Sequence, residues 1–321
     1  MQLKKSIPML VITMLTATGA SAQNFPTQPI RLIVPYSAGG VTDIVARTIA
    51  KLIEPELGQP VVIENKPGAN GTLGAIQMIN AAPDGHQLAI VPVGIFRQPH
   101  VVKMTLDPLK HLTYISSLVD YSYVIAVRSD SKWKSIGDLV KEARSNSKLT
   151  YGTPGAYSTP HLSMDQFAVD GKFKWTHVPY KGAADIVPAL MSSQVDVIAG
   201  TGSSTLDSFV KKGDIRILAT LGESRTKENP DVLTLKEAGY PVIAKAPFGL
   251  VGPAGMDKAV VSKLDKAVNK AMQSSQFQDL VEKSGVIVKY MGPDEYRAYA
   301  EETAALEKER MGRLVVLEGS K

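Results

Sequence analysis

Ile30-Arg31-Leu32-Ile33-Val34-Pro35-Tyr36-Ser37-Ala38-Gly39-Gly40-Val41-Thr42-Asp43-Ile44-Val45 carries three signals in one short run. Ile30–Val34 is a β-branched apolar run that reads as a buried strand. Pro35–Gly40 is a turn-forming loop. From Val41, apolar residues recur at helical spacing through Ile44, Val45, Ile49 and Leu52, and Glu54-Pro55 is expected to end the helix. Strand, glycine loop, helix is the arrangement that aims unpaired backbone N–H groups at an anion. The chain repeats it at once. Val61–Ile63 reads as a second strand, Asn65-Lys66-Pro67-Gly68-Ala69-Asn70-Gly71-Thr72-Leu73-Gly74 as a second glycine loop, and Leu73–Ala81 as its helix. A third strand, Leu88–Val91, follows the Pro83-Asp84-Gly85 turn. Strands alternating with helices predict an α/β domain with a parallel sheet.

The alternation then restarts. Strands are expected at Tyr123–Val127, Leu149–Tyr151, Trp175–Val178, Val195–Ala199 and Ile215–Thr220. Helices are expected at Ile136–Ala143, Pro160–Val169, Ala183–Met191 and Thr205–Lys211. A third glycine loop, Gly152-Thr153-Pro154-Gly155-Ala156-Tyr157-Ser158, lies within this unit. Phe248–Val251 reads as a strand returning to the first sheet, with long helices at Asp257–Ser274 and Pro293–Leu317. The expected organisation is one discontinuous lobe, 23–123 with 247–321, and a second lobe, 124–246. They are joined by two strands near Tyr121–Val127 and Lys245–Phe248 that would act as a hinge.

Residues 1–22 read as a secretory signal peptide. Lys4 and Lys5 precede a short apolar core, and Ala20-Ser21-Ala22 is a small-residue cleavage site that places the mature start at Gln23. The core is too short to span a bilayer. The chain has no Cys, which excludes disulfides, thiolate chemistry and a lipid-anchored cysteine. The net charge of +5 falls to +3 without Lys4 and Lys5. Charge this mild, with 6% aromatic residues, does not suit nucleic-acid binding.

Other chemistry fares poorly. Gly68, Gly71 and Gly74 are spaced G-x-x-G-x-x-G, not as a dinucleotide fingerprint, and no P-loop lysine follows. Ser158, His161 and Asp165 superficially suggest a triad, but no nucleophile elbow surrounds Ser158, which reads as a helix cap. The five histidines, His86, His100, His111, His161 and His177, have no metal-ligand spacing. No catalytic residue, metal or cofactor is therefore expected. Asp43 reads as a first-turn capping residue, and Trp133 and Trp175 read as packing.

Eight motifs now stand in order: PYSAGGVTDIVAR, ENKPGANGTLGA, APDGHQL, YGTPGAYSTPHL, VPYKGAAD, SQVDV, EAGYP and FGLVGPAG. In that order they resemble the Bug/TctC proteins, the periplasmic solute receptors of tripartite tricarboxylate transport systems, over residues 24–317. The resemblance implies a type II periplasmic-binding-protein fold, two α/β lobes with a ligand cleft, and no catalysis. It implicates Tyr36, Ser37, Gly39, Gly40, Ala69 and Gly71 in holding one carboxylate through backbone N–H groups and waters. Thr153, Ser158 and His161 would supply contacts from the second lobe.

Two departures bear on the ligand. Family members carry a ligand-contacting Asp where this chain has Ala189, and many have Asp where it has Gly200. Asp185 stands one helical turn before Ala189 on a similar face, and it joins the candidates without the family role. Losing acidic groups disfavours an amino-group ligand. Arg97, after the third strand, replaces a small polar residue and is expected to clamp a second carboxylate. The resulting expectation is a monomeric periplasmic receptor for a small organic acid, with dicarboxylates and aromatic acids in range. It would deliver its ligand by hinge closure to the membrane subunits of a tripartite tricarboxylate transporter or to a sensor protein. The alternative is an exported α/β hydrolase acting on a carboxylate ester.

Overall fold

The computed structural model describes residues 25–180, 183–201 and 204–318, so the expected signal peptide and cleavage site lie outside the described residues. The strands are β1 Ile30–Val34, β2 Val61–Asn65, β3 Gln87–Pro92, β4 Leu112–Tyr121, β5 Tyr123–Arg128, β6 Thr150–Thr153, β7 Thr176–Pro179, β8 Val197–Thr201, β9 Ile215–Thr220, β10 Pro247–Pro253 and β11 Val286–Met291. The helices are α1 Val41–Leu57, α2 Leu73–Met78, α3 Pro108–His111, α4 Ile136–Ser145, α5 Thr159–Gly171, α6 Ala183–Met191, α7 Ser204–Lys212, α8 Lys258–Met272, α9 Ser275–Ser284 and α10 Pro293–Glu318.

One sheet has the order β11-β4-β10-β3-β1-β2 and the other β7-β6-β8-β5-β9. Each contains a parallel trio, β2-β1-β3 and β7-β6-β8. The expectation of parallel sheets needs correcting beyond these trios. β10 runs antiparallel to β3 and β4, β11 antiparallel to β4, and β5 antiparallel to β8 and β9. The antiparallel strands include those on either side of the passages between sheets. β4, α9 and β11 were not anticipated from local pattern. β11 is an edge strand whose Ile287 and Val288 face solvent, so it lacks the apolar alternation that marks a half-buried strand. Helix α1 runs past Pro55, near its last turn, and stops instead at Gly58. There the backbone turns left-handed and the Gly58 N–H closes on Glu54 O at 2.8 Å.

The chain passes from the first sheet to the second at Ser122 and returns between Thr220 and Pro247. The two passages are tied together. Leu221 N–H donates to Tyr123 O at 2.9 Å, Ala244 N–H to Leu221 O at 2.8 Å, and Ala246 N–H to Asp120 Oδ1 at 2.8 Å. β5 alternates with strand period between two cores. Tyr123, Ile125 and Val127 join the large one, while Val124 and Ala126 join a smaller cluster with Ile186, Ala189, Leu190 and Ile198. Trp175 packs against Tyr151, Phe173 and Phe167.

Candidate functional site

The first loop is built around a buried carboxylate. Asp43 is 2% exposed. It accepts from Gly39 N–H, Arg47 Nε and Asn65 Nδ2, each at 2.9 Å. Asn65, at the end of β2, also donates to Tyr36 O at 3.0 Å. Burial alone would raise the Asp43 pKa, but these donors outweigh it and hold the carboxyl below its usual value. Asp43 thus braces the loop before α1 and joins it to the second. The Gly39 N–H, one of the expected ligand donors, is committed to Asp43. Ser37, Gly39 and Gly40 are exposed at the mouth.

The second loop has four successive residues at positive φ: Gly68 at 138°, Ala69 at 47°, Asn70 at 52° and Gly71 at 86°. Two of them are not glycine, and such strain concentrates at ligand sites. Gly71 has a different role from the one expected. Its N–H is closed onto Gly68 O at 2.9 Å. A Cβ there would meet Pro92 Cγ at 2.8 Å and the Tyr36 hydroxyl at 3.2 Å. Gly71 is therefore a packing glycine between the first two loops and the end of β3. Gly71→Val combines a clash with an unfavourable φ. It should lower stability by about 1–3 kcal/mol or more, read as a fall in denaturation midpoint without ligand.

The third loop is held from within. Thr153, fully buried, donates its hydroxyl to Gly155 O at 3.0 Å and lies 2.7 Å from His177 Nε2. His161 Nδ1 accepts from Tyr157 N–H at 2.9 Å, and its Nε2 lies 3.2 Å from Asp165 Oδ2. Ser158 caps α5 by accepting from His161 N–H. Asp165 also accepts from the Tyr151 hydroxyl at 2.6 Å. The rings of His161 and His177 stack at 3.8 Å. Thr153, Ser158 and His161, expected to touch ligand, each also hold the third loop together. The Ser158 hydroxyl receives a backbone N–H, and neither imidazole nitrogen of His161 faces it, so no hydrolase relay forms.

Burial pushes His161 and His177 down to about 4, with Arg310 adding to the fall at His161 and His161 to that at His177. The folded state therefore binds fewer protons than the unfolded chain between about pH 6.5 and 4. Stability is full above that window and falls as pH drops through it. His177→Gln keeps a donor for Thr153 without titrating. Its melting temperature should fall less steeply than the wild-type value between pH 6.5 and 4.

Arg97 is not free to clamp a ligand, contrary to expectation. It is 2% exposed in the segment after β3, and its Nη2 pairs with Glu307 Oε1 of α10 at 2.7 Å. Its Nη1 donates to Thr159 Oγ1 at 2.9 Å and approaches Tyr157 O at 3.5 Å, both beside the third loop. Asn70 makes a second bridge, donating to Ala156 O at 2.7 Å. The second loop and the segment after β3 therefore close on the third loop. Asn70, Thr159, His177 and Glu307 were missed in the sequence. Asn70 had a local signal, because it lies between Ala69 and Gly71.

Tyrosines line the same region. Burial drives Tyr36 up to about 12, with Arg97 opposing it, and drives Tyr121 and Tyr123 further. All three stay protonated donors at neutral pH. The Tyr121 hydroxyl pairs with that of Thr42 in the first turn of α1. Asp185 is exposed in the first turn of α6, with no hydrogen bond to the three loops among the described residues. The two family acid positions are closed by packing. Ala189 is buried in the smaller core, and a Cβ on Gly200 would meet Ile186 Cδ1 at 2.3 Å.

Several helices carry side-chain caps that the helices after the first two glycine loops lack. α3, α4, α5, α8 and α9 carry side-chain caps from Asp107, Ser135, Ser158, Asp257 and Ser274. α1 begins at Gly40 and α2 at Thr72 with no side-chain cap, and the turn at Ala69–Gly71 has none at Gly68. First-turn N–H groups without an intrahelical acceptor are open to an external one, although in the turn before α2 the Gly71 and Thr72 N–H groups are already closed onto Gly68 O and Ala69 O. No cluster of His, Asp and Glu able to hold a metal occurs among the described residues.

The chain matches the family described as "Tripartite tricarboxylate transporter family receptor" over residues 45–315. It is 41% identical over 290 residues to the "UPF0065 protein in gbd 5'region" of Cupriavidus necator, covering 90% of this chain and 88% of that protein. Among solved structures it is similar to MatC of Rhodopseudomonas palustris with bound malate, at 27% identity and TM-score 0.80, over 89% of this chain and all of that one. It is likewise similar to Rpa4515 of R. palustris with adipate, at 27% identity and TM-score 0.83, over 90% of this chain and 97% of that one.

Proposed function

Because the chain belongs to the TctC family of tripartite tricarboxylate transporter receptors, we propose that it captures a small dicarboxylate outside the cytoplasm and passes it to membrane partners. The family and these neighbours are binding proteins rather than enzymes, and the hydrolase alternative is set aside. The observation that carries the reading is the pair of helix starts without a side-chain cap, α1 and α2, each preceded by a glycine loop, the second of which reaches the third loop through Asn70. A carboxylate there would accept from first-turn N–H groups at about 1.5–3 kcal/mol each. Glycines and small residues at the mouth let it approach. The relatives with malate and adipate support a two-headed acid.

The lobes would be 23–123 with 247–321, and 124–246, hinged at the passages around Ser122 and Ala246. Delivery follows closure, with transporter subunits or a sensor reading the closed form. No helix among the described residues is long and apolar enough to cross a membrane. The expected monomer and signal cleavage at Ala22/Gln23 remain part of the proposal.

A melting-temperature screen with malate, adipate, lactate and aspartate tests it, because a ligand of the native state raises the midpoint by mass action. Malate or adipate should raise it, and the same acid should reduce the radius of gyration in solution scattering. If lactate binds as tightly as malate, the dicarboxylate reading is wrong, and if aspartate binds best, the expected rejection of an amino group is wrong. If binding leaves the scattering unchanged, closure is wrong.

A further inference from the structure

Resting on the receptor reading above, we propose that Asn70 is the latch of its closed form, a positioning residue that slows the escape of a bound acid by gripping the third loop. In the proposed lobes, Asn70 belongs to the first and Ala156 to the second. Asn70 Nδ2 donates to Ala156 O at 2.7 Å, across 86 positions of chain.

Asn70 is held on its own side before it reaches across. The peptide groups that flank it are both pinned. Gly71 N–H closes on Gly68 O at 2.9 Å. Ala69 O accepts from Thr72 N–H at 3.1 Å and from the Thr72 hydroxyl at 2.7 Å. Thr72 itself is fully buried. From behind, the segment after β3 comes close, and a Cβ on Gly94 would lie 3.3 Å from Asn70 O. In front, a Cβ on Gly155 would meet Asn70 Oδ1 at 2.7 Å, nearer than side chains tolerate. Gly155 is therefore a notch in the third loop that admits the Asn70 amide. One side chain thus makes a steric fit and a hydrogen bond with consecutive residues of the opposing loop.

The position makes two demands at once. Its backbone is left-handed, at φ 52° and ψ 35°, where few residues other than glycine and asparagine settle. It also needs a donor for Ala156 O. Glycine meets the first demand and has no side chain for the second. Aspartate tolerates the backbone but presents only acceptors when ionised. Asparagine meets both. Strain of this kind persists where the surrounding structure enforces it, as it does at ligand clamps. The latch forms only when the lobes meet, so it stabilises the closed form and leaves the first encounter of the acid with the first lobe unchanged. Its loss should therefore appear in the rate of release rather than of capture.

Asn70→Gly tests this, because glycine keeps the left-handed backbone and removes only the amide. Stopped-flow binding of malate and of adipate reads both rates. Release should quicken roughly three- to tenfold, the worth of one hydrogen bond, with capture nearly unchanged. Asn70→Asp should release as fast as Asn70→Gly, because the donor is what matters. The ligand-free melting midpoint should stay near the wild-type value, since a bond made on closing adds nothing to the open protein. An unchanged release rate, slower capture alone, or a ligand-free midpoint lowered in step with affinity overturns the latch. A second arm needs no ligand. The chain has no Cys, so Asn70→Cys with Gly155→Cys supplies a single thiol pair. A Cβ at 155 would lie 3.8 Å from Asn70 Cγ, near where the Sγ of a cysteine at 70 would stand, so a small shift allows a disulfide. Oxidised glutathione should cross-link the pair within one chain. If the wild-type protein binds neither malate nor adipate but the pair cross-links, the dicarboxylate reading falls and the latch contact stands. If the folded pair forms no cross-link, the latch falls whatever the protein binds.

Discussion

Gly40→Val is expected to weaken organic-acid binding by roughly 100-fold or more while the protein stays folded. The branched side chain would stand over the start of α1, where no side-chain cap occupies the first-turn N–H groups. Two charge-assisted bonds at about 1.5 kcal/mol each account for a loss of that size. The backbone can accept the change. Gly40 has φ −77° and ψ 164°, which any residue adopts. A Cβ there would touch only Ser37 O, at 3.5 Å. Valine is a poor cap, so a stability loss of about 1 kcal/mol accompanies the loss of binding. The measurement is calorimetry with malate or adipate beside a melting curve. Undiminished affinity in a folded variant would remove the α1 start from the mouth.

Arg97→Met should cost about 3–5 kcal/mol of stability, because it leaves the Glu307 carboxylate buried without its cation. It also removes the bonds from Arg97 to Thr159 and Tyr157, which join the segment after β3 to the third loop. Binding of monocarboxylates and dicarboxylates should weaken together, because what is lost is closure rather than contact with one end of the ligand. Arg97→Met combined with Glu307→Leu should recover much of the stability but not the closure. Denaturant midpoints read the first effect, and calorimetry with lactate and malate reads the second. A loss confined to dicarboxylates would restore Arg97 as a ligand clamp.

The contrast between Gly40 and Gly71 shows how far local pattern reaches. Both sit in strand–loop–helix units that were legible, because a strand, a turn and a helix start are encoded within a few neighbouring residues. Only the fold separates their roles. Gly40 faces open solvent, whereas Gly71 is wedged against Pro92 and Tyr36, which come from other segments. The same holds for the third loop. Its cap at Ser158 is a local signal, but the stacking of His161 on His177 depends on β7 pairing with β6.

The sequence by itself determined the α/β units, the change from one sheet to the other near Ser122, and the glycine loops before α1 and α2. Each rests on periodicity or backbone freedom over a handful of positions. The tertiary structure alone decided that the sheets are mixed, that Ile186 fills the space beside Gly200, and that Arg97 meets Glu307 across 210 positions of chain. An arginine after a strand has the same local signature whether it faces ligand or a carboxylate. Its partner is chosen by packing, because a buried charge is stable only where the fold brings an opposite one within reach.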